Sequence, residues 1–353
     1  MLTSDRKFGL EIEFLVNNAR VIDRLLHEDF NIVQDGSLRP HTGGEYVSRP
    51  LTGNAGVVEV ERVCQALKRH GANVEHPATS MHVHLDGKRH DFTVETSNKP
   101  FDKPGRQFAV SRMLMKGKKE EEFASNIVNY KRPVLDSNVK EFDGIRFYSK
   151  ARLTRRPKIN YTYFLLEEPD RIPWLTRMFY FYTQYDAVMA NIVSHSRSMG
   201  NMYCQRLGDS FTLEEIESIK SESDFVRVWY KGNGIGGHYC NSRYHNVNFH
   251  SYFDRHGTVE IRSHGATTDP NKVLLWVKLH QYIADKLEKC TLDDIKIDIP
   301  TDIVGLPPGQ APDNVYIEFI KFLEDEPVLV EYVKRMLGYF SGITITKDKV
   351  IRK

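Results

Sequence analysis

The chain has little cysteine, no long apolar run and almost no net charge, and each scarcity excludes something. Its four cysteines, Cys64, Cys204, Cys240 and Cys290, stand far apart without a CxxC pair. That argues against a disulfide framework, a zinc ribbon or a redox dithiol, and reduced thiols of a cytosolic protein are the expectation. No window approaches the roughly 18 apolar residues of a membrane span. The opening Met-Leu-Thr-Ser-Asp-Arg-Lys runs into a first strand without an apolar signal segment. A soluble, cytoplasmic protein with no membrane partner is expected.

A literal G-x-G-x-x-G occurs at Gly232-Asn-Gly-Ile-Gly-Gly237, but the strand-like stretch His238 to Phe249 follows it. A dinucleotide fingerprint needs a helix there, whose N-terminus holds the pyrophosphate. The glycines are expected instead to form a mobile loop flanking a site. The formal net charge of +2 hides an asymmetry: Lys88 to Lys158 carries 18 Lys/Arg against 9 Asp/Glu, which leaves the rest of the chain acidic.

What is present is enough to fold. With 353 residues, 40% hydrophobic and 11% aromatic, the chain can bury a substantial core as one large domain or two modest ones. Three short runs share one device, polar and apolar residues in strict alternation: Glu11-Ile12-Glu13, His82-Val83-His84 and Glu260-Ile261-Arg262. In a strand, residues i and i+2 share a face, so each run turns one side to core and the other to chemistry. Taken alone, an E-x-E pair is ordinarily a solvated strand face and a lone strand histidine an ordinary hydrogen-bonded side chain. Two same-face histidines followed by Asp86 suit a divalent ion or a phosphate better. Glu45, in Gly43-Gly44-Glu45-Tyr46, adds an oxygen ligand, although as a single residue it reads equally well as an edge carboxylate at a hairpin.

Between these strands, helices are expected over Val21 to Leu26 and over Asn54 to His70, the latter stopped at Gly71. The longest helix is expected from Ile172 to His195, where an aromatic stripe recurs every three or four residues. A capping box, Thr212-Leu-Glu-Glu215, opens a short helix. The strand from His238 should carry Arg243, Asn246 and Asn248 and return through a hairpin turn at Arg255-His-Gly257. A helix follows Asp269-Pro270, then a linker from Thr291 to Pro308 and an accessory helical tail over 313–340. The domain expectation is a catalytic region over 1–290 with a basic, β-rich insertion at about 87–168, then linker and tail over 291–353. The insertion admits two readings: a recognition element for an anionic partner, nucleic acid included, given Lys116-Gly-Lys-Lys119 and Lys131-Arg-Pro133 among aromatics, or a solvated excursion balancing an acidic body.

Glu11, Glu13, Glu45, Glu260 and His82 or His84 form a set of hard and borderline ligands suited to Mg²⁺ or Mn²⁺, without thiolates that would suggest structural zinc. Arg243 and Arg262 beside them make sense if the ligand is a nucleotide polyphosphate, whose charge needs both metal and guanidinium groups.

The blocks Gly9-Leu-Glu-Ile-Glu-Phe14, Asp35-Gly-Ser37 with Gly44-Glu45-Tyr-Val-Ser48-Arg-Pro50, Met81-His-Val-His84, Arg197-Ser-Met-Gly-Asn201, Arg243-Tyr-His-Asn-Val-Asn248 and Thr258-Val-Glu-Ile-Arg262 with Gly265-Ala-Thr267 occur in this order. Together they resemble the amidoligase family of carboxylate-amine ligases, related to glutamine synthetase and glutamate-cysteine ligase. The resemblance implies an α+β fold with a curved antiparallel β-sheet, glutamine-synthetase-like, covered by helices, with ATP and Mg²⁺ (or Mn²⁺) on the concave face. It implies that Glu13 and Glu45 hold the metal near the acceptor carboxylate, and that Glu11, His82 and Glu260 hold the one bridging the phosphates. It places Asn248 and His84 with the nucleotide, His84 on a phosphate or a substrate oxygen, and gives Arg243 and Arg262 the γ-phosphoryl group in flight; Asp35 is a general-base candidate by its proximity to the Glu45 motif alone. The expected substrates are a small-molecule or peptide carboxylate and an amine, joined through an acyl phosphate; oligomeric state stays open. Two other classes remain: a metal-dependent hydrolase or phosphotransferase using the same cluster, and a nucleic-acid-binding protein with an inactive ligase-like core.

Overall fold

The computed structural model describes residues 2–18, 20–34, 38, 42–87, 91–95, 109–110, 138–142, 145–153, 159–165, 171–198, 200–235, 240–254, 256–298, 305–346 and 349–352. The chain divides into two compact units, Met1–Gly87 with Ile172–Lys353, and Lys88–Arg171.

The larger unit is built on a six-stranded, all-antiparallel sheet. In chain order its strands are β1 (Phe8–Leu15), β2 (Ile32–Val33), β3 (Gly43–Val47), β4 (Ser80–Asp86), β10 (Val247–Asn248) and β11 (Thr258–Gly265). Their spatial order is β10-β11-β4-β1-β3-β2. The expected alternation is present: Leu10, Ile12, Phe14, Met81, Val83, Leu85, Val259 and Ile261 are buried in the hydrophobic core. Antiparallel pairing then sets the other face. Glu13 lies opposite Glu45, Glu11 opposite His82, and His84 opposite Glu260, which is itself opposite Asn248. Gly43 is required where β3 passes β1, because a Cβ there would collide with the Phe14 carbonyl oxygen. The register of β11 shifts between Ile261 and His264, a bulge that re-aims the residues it contains.

Among the described residues there are eleven α-helices. The amphipathic helix Gly53–Arg69 and the 20-residue helix Pro270–Lys289, capped by Asp269, pack against each other, and the second also meets β4. The aromatic stripe expected as one helix is bent: Ile172–Gln184 and Asp186–Asn191 meet at Tyr185. The bonds from Tyr185 N to Phe181 O and from Met189 N to Tyr185 O persist, so this is a kink rather than a termination. The capping box at Thr212 forms as expected.

Three expectations are corrected. The stretch before β10 is not a continuous strand, since Asn241–Tyr244 is a 3-10 turn. The hairpin at Arg255 is interrupted by the helix His250–Asp254, whose entry is fixed by Asn248 Oδ1 accepting from His250 N at 2.8 Å. The accessory tail is part of the main core: the helices Asp313–Phe322 and Pro327–Ser341 bury Val315, Tyr316, Phe319, Leu329 and Leu337. Phe319 and Phe322 meet the ring of Phe181 at 6.0 and 4.6 Å. Each large apolar side chain so buried contributes about 1.5–3 kcal/mol, which is too much for an appended segment. The strand β12 (Ile343–Ile345) pairs with β13 (Val350–Arg352).

The smaller unit holds a five-stranded antiparallel sheet of β5 (Asp91–Glu95), β6 (Ala109–Val110), β7 (Asn138–Phe142), β8 (Ile145–Leu153) and β9 (Ile159–Leu165), in the order β6-β5-β9-β8-β7. The basic clusters Lys116-Lys119 and Lys131-Pro133, on which the nucleic-acid reading rests, lie outside the described residues. No helix among those described is long and apolar enough to cross a membrane.

His280 makes one consequence of this core measurable. It is fully buried between Trp276 and Tyr182, whose hydroxyl lies 2.6 Å from its Nδ1. Burial pushes its imidazole down to about 3. A histidine depressed in the fold but titrating near 6.5 when unfolded stabilises the protein fully above pH 6.5, and that contribution is lost as pH falls toward the folded value. Between pH 7 and 5 the loss is about 2 kcal/mol. Urea midpoints at the two pH values should therefore differ less in His280→Gln than in the wild type; equal pH dependence would refute the assignment.

Candidate metal centre and anion site

The polar face of the sheet gathers the carboxylates and imidazoles around Glu11. Its Oε2 is 3.1 Å from His82 Nδ1 and its Oε1 is 3.2 Å from His84 Nε2. Glu260 Oε1 approaches the same groups, 3.4 Å from His82 Nδ1 and 4.0 Å from His84 Nε2. Two clusters result, Glu11-Glu45-His82 and Glu11-His84-Glu260, and in each the ligand atoms lie within 4.8 Å of one another. Glu11 is common to both.

The two histidines and Glu260 are held from behind. Ser80 Oγ lies 2.9 Å from His82 Nε2, which leaves Nδ1 facing the carboxylates. Thr258 Oγ1, itself bonded to Ser251, lies 3.0 Å from His84 Nδ1. A ring nitrogen engaged this way orients the ring and aims the opposite nitrogen at the site. His84 Nε2 is buried and faces the carboxylates of Glu11 and Glu260 as an ion pair. Asn248 Nδ2 donates to Glu260 Oε2 at 2.6 Å, and Arg262 donates to Glu260 Oε1. Arg262 in turn is held by the Tyr203 carbonyl at 3.3 Å.

Electrostatics follow from this packing. Burial opposes ionisation of Glu11, yet His84 and His82 hold its carboxyl well below the usual range. Burial opposes it at Glu260 too, but Arg262, then His84 and His82, bring that carboxyl down to about 2. Against its own burial, His84 is pushed up to about 9 by Glu11 and Glu260. A donor set of three carboxylates and two imidazoles with no thiolate fits a hard or borderline divalent cation such as Mg²⁺ or Mn²⁺.

The structure partitions the residues differently from the resemblance. Glu13, buried beside Glu11, accepts from Ser80 N at 2.7 Å and lies 4.0 Å from His82 Nε2, but enters neither cluster. His84, assigned to the nucleotide, stands among the ligand groups. Arg243 sits on the 3-10 turn, half-buried, with its guanidinium 5.5 Å from the Tyr244 ring centroid. Asp35 lies outside the described residues. The glycine loop is described through Ile235, with Gly232 and Gly234 at positive φ.

One residue had no role in the sequence reading although it stood inside a matched block: Arg197. It lies on the helical turn His195–Ser198, which packs on β11. Burial pushes its guanidinium below the usual range, partly offset by neighbouring Glu13, with Cys204 and Arg262 also nearby. Ser80 and Thr258 were likewise missed, because nothing local in the sequence marks a hydroxyl that orients a histidine.

A family model described as "Putative amidoligase enzyme" matches residues 16–102 and 169–284, more than half of the chain. The chain belongs to the amidoligase family and so stands among the ligases. The matched blocks include Glu45, His82, His84, Glu260 and Arg262, and they skip 103–168, within the smaller unit. No curated protein and no solved structure matches the chain.

Proposed function

We propose that this protein is an ATP- and Mg²⁺-dependent carboxylate-amine ligase that forms an amide bond through an acyl phosphate. In the first step a substrate carboxylate attacks the γ-phosphate of ATP and releases ADP. In the second an amine attacks the acyl carbon, and phosphate leaves. The observation carrying this reading is the pair of clusters sharing Glu11 beside Arg262, in a chain of the amidoligase family. Bound at these residues, divalent ions would neutralise phosphate charge and polarise the transferred group.

The protein's own contribution is positioning and charge. Glu11, Glu45 and Glu260 with His82 and His84 are the groups that would hold the ions, and Ser80, Thr258 and Asn248 keep them aimed. Arg262, pinned between Glu260 and the Tyr203 carbonyl, offers fixed positive charge that needs no reorganisation as charge moves to the leaving oxygen. Arg243 is proposed to meet the phosphates beside it.

The test is ADP release by the purified protein with Mg²⁺ across a panel of carboxylates and amines. Release that requires both partners is the expected outcome. ATP-independent hydrolysis of a phosphoester would instead establish the hydrolase reading of the same cluster.

A further inference from the structure

Arg197 is only 5% exposed, yet it is barely satisfied. Its Nη2 reaches the Pro77 carbonyl at 3.4 Å, and its Nε is buried with no hydrogen-bond partner. Among the described residues no carboxylate lies within ion-pair distance of it, although Glu13 is near enough to influence its charge. Arg262, the other buried arginine on this side, is spoken for by Glu260. A guanidinium removed from water without a counter-ion is costly to keep, and its planar fork matches a carboxylate in two parallel hydrogen bonds.

Its position favours one anion over another. Arg197 stands at the Glu13 end of the polar face with Arg262 nearby, whereas Glu260 and His84 occupy the other end. An anion at Arg197 would therefore lie beside the charge-bearing cluster rather than in the place of Arg262. From this we infer that Arg197 binds the carboxylate group of the acceptor substrate, which makes it a substrate-binding residue of the ligase reading, on which this inference rests. The ordering has a chemical logic. The guanidinium fixes the carboxylate through its two oxygens until one of them attacks the γ-phosphorus. The P–O bond to ADP then breaks, and the positive charge remains beside the acyl phosphate.

Calorimetric titration of wild type, Arg197→Ala, Arg197→Met and Arg197→Lys tests it, with glutarate, inorganic phosphate and MgATP as probes and thermal melting alongside. Glutarate should bind the wild type and weaken roughly 10- to 100-fold in Arg197→Ala and Arg197→Met, with partial retention in Arg197→Lys. MgATP affinity should stay within about 3-fold. The melting temperature of the ligand-free Arg197→Met protein should be equal to or above that of the wild type, because an unpaired buried cation has been removed; a purely structural arginine would lower it. Loss of phosphate or MgATP binding in place of glutarate binding would overturn the carboxylate assignment, as would a wild type that binds no glutarate. Failure of the ligase reading shows separately, as absence of amine- and carboxylate-dependent ADP release from a wild type that still binds glutarate through Arg197.

Discussion

Glu11→Gln is expected to abolish divalent-ion binding at both clusters, whereas Glu45→Gln and Glu260→Gln each remove only one ion. The reason is geometric: one carboxylate presents Oε2 toward His82 and Oε1 toward His84, and each cluster is completed by a different second carboxylate. Glutamine keeps the shape but replaces an anionic oxygen with a neutral one beside an amide donor, which hard cations bind poorly. Titration with Mn²⁺ should count two ions for the wild type, one for either flanking variant and none for Glu11→Gln. Two ions retained by Glu11→Gln would refute the shared-ligand arrangement. Under the proposed function, loss of both ions forfeits several kcal/mol of charge stabilisation, so ADP release should fall on the order of 1000-fold or more.

Glu260→Ala should destabilise the ligand-free fold by about 3–5 kcal/mol, because it strands Arg262 as a buried, unpaired cation. It also takes the acceptor away from Asn248. The double variant Glu260→Leu with Arg262→Met should regain most of that loss, since a buried ion pair replaced by apolar groups is near neutral in stability. Urea denaturation of the two singles and the double closes the cycle. Strict additivity would mean that the two side chains do not depend on each other. The double variant should fold and yet release no ADP, which separates stability from chemistry at one pair of residues. Arg262→Ala alone should act mainly on rate, because the carboxylate it leaves behind still faces His82 and His84.

Two of the corrections show where local reading stops. Nothing in Arg255-His-Gly257 reveals that a helix over His250–Asp254 precedes it, because that helix is nucleated by the Asn248 side chain, whose place depends on β11. Similarly, the apolar period of 313–340 marks helices, but not that their partners are Phe181 and Tyr185, more than 130 residues away. Arg197 is the sharpest case. In sequence it is one more arginine, and only its burial without an anionic partner distinguishes it.

By itself the sequence determined the faces. Period-two alternation in β1, β4 and β11 settles which side of each strand is core and which carries Glu11, Glu13, His82, His84 and Glu260, because side-chain direction is a local property of the backbone. Only the tertiary structure decided which of those residues meet. The placement of β1 between β3 and β4, with β11 beyond β4, makes Glu11 the shared ligand and leaves Glu13 to Ser80, and that strand order depends on non-local packing that no single stretch encodes.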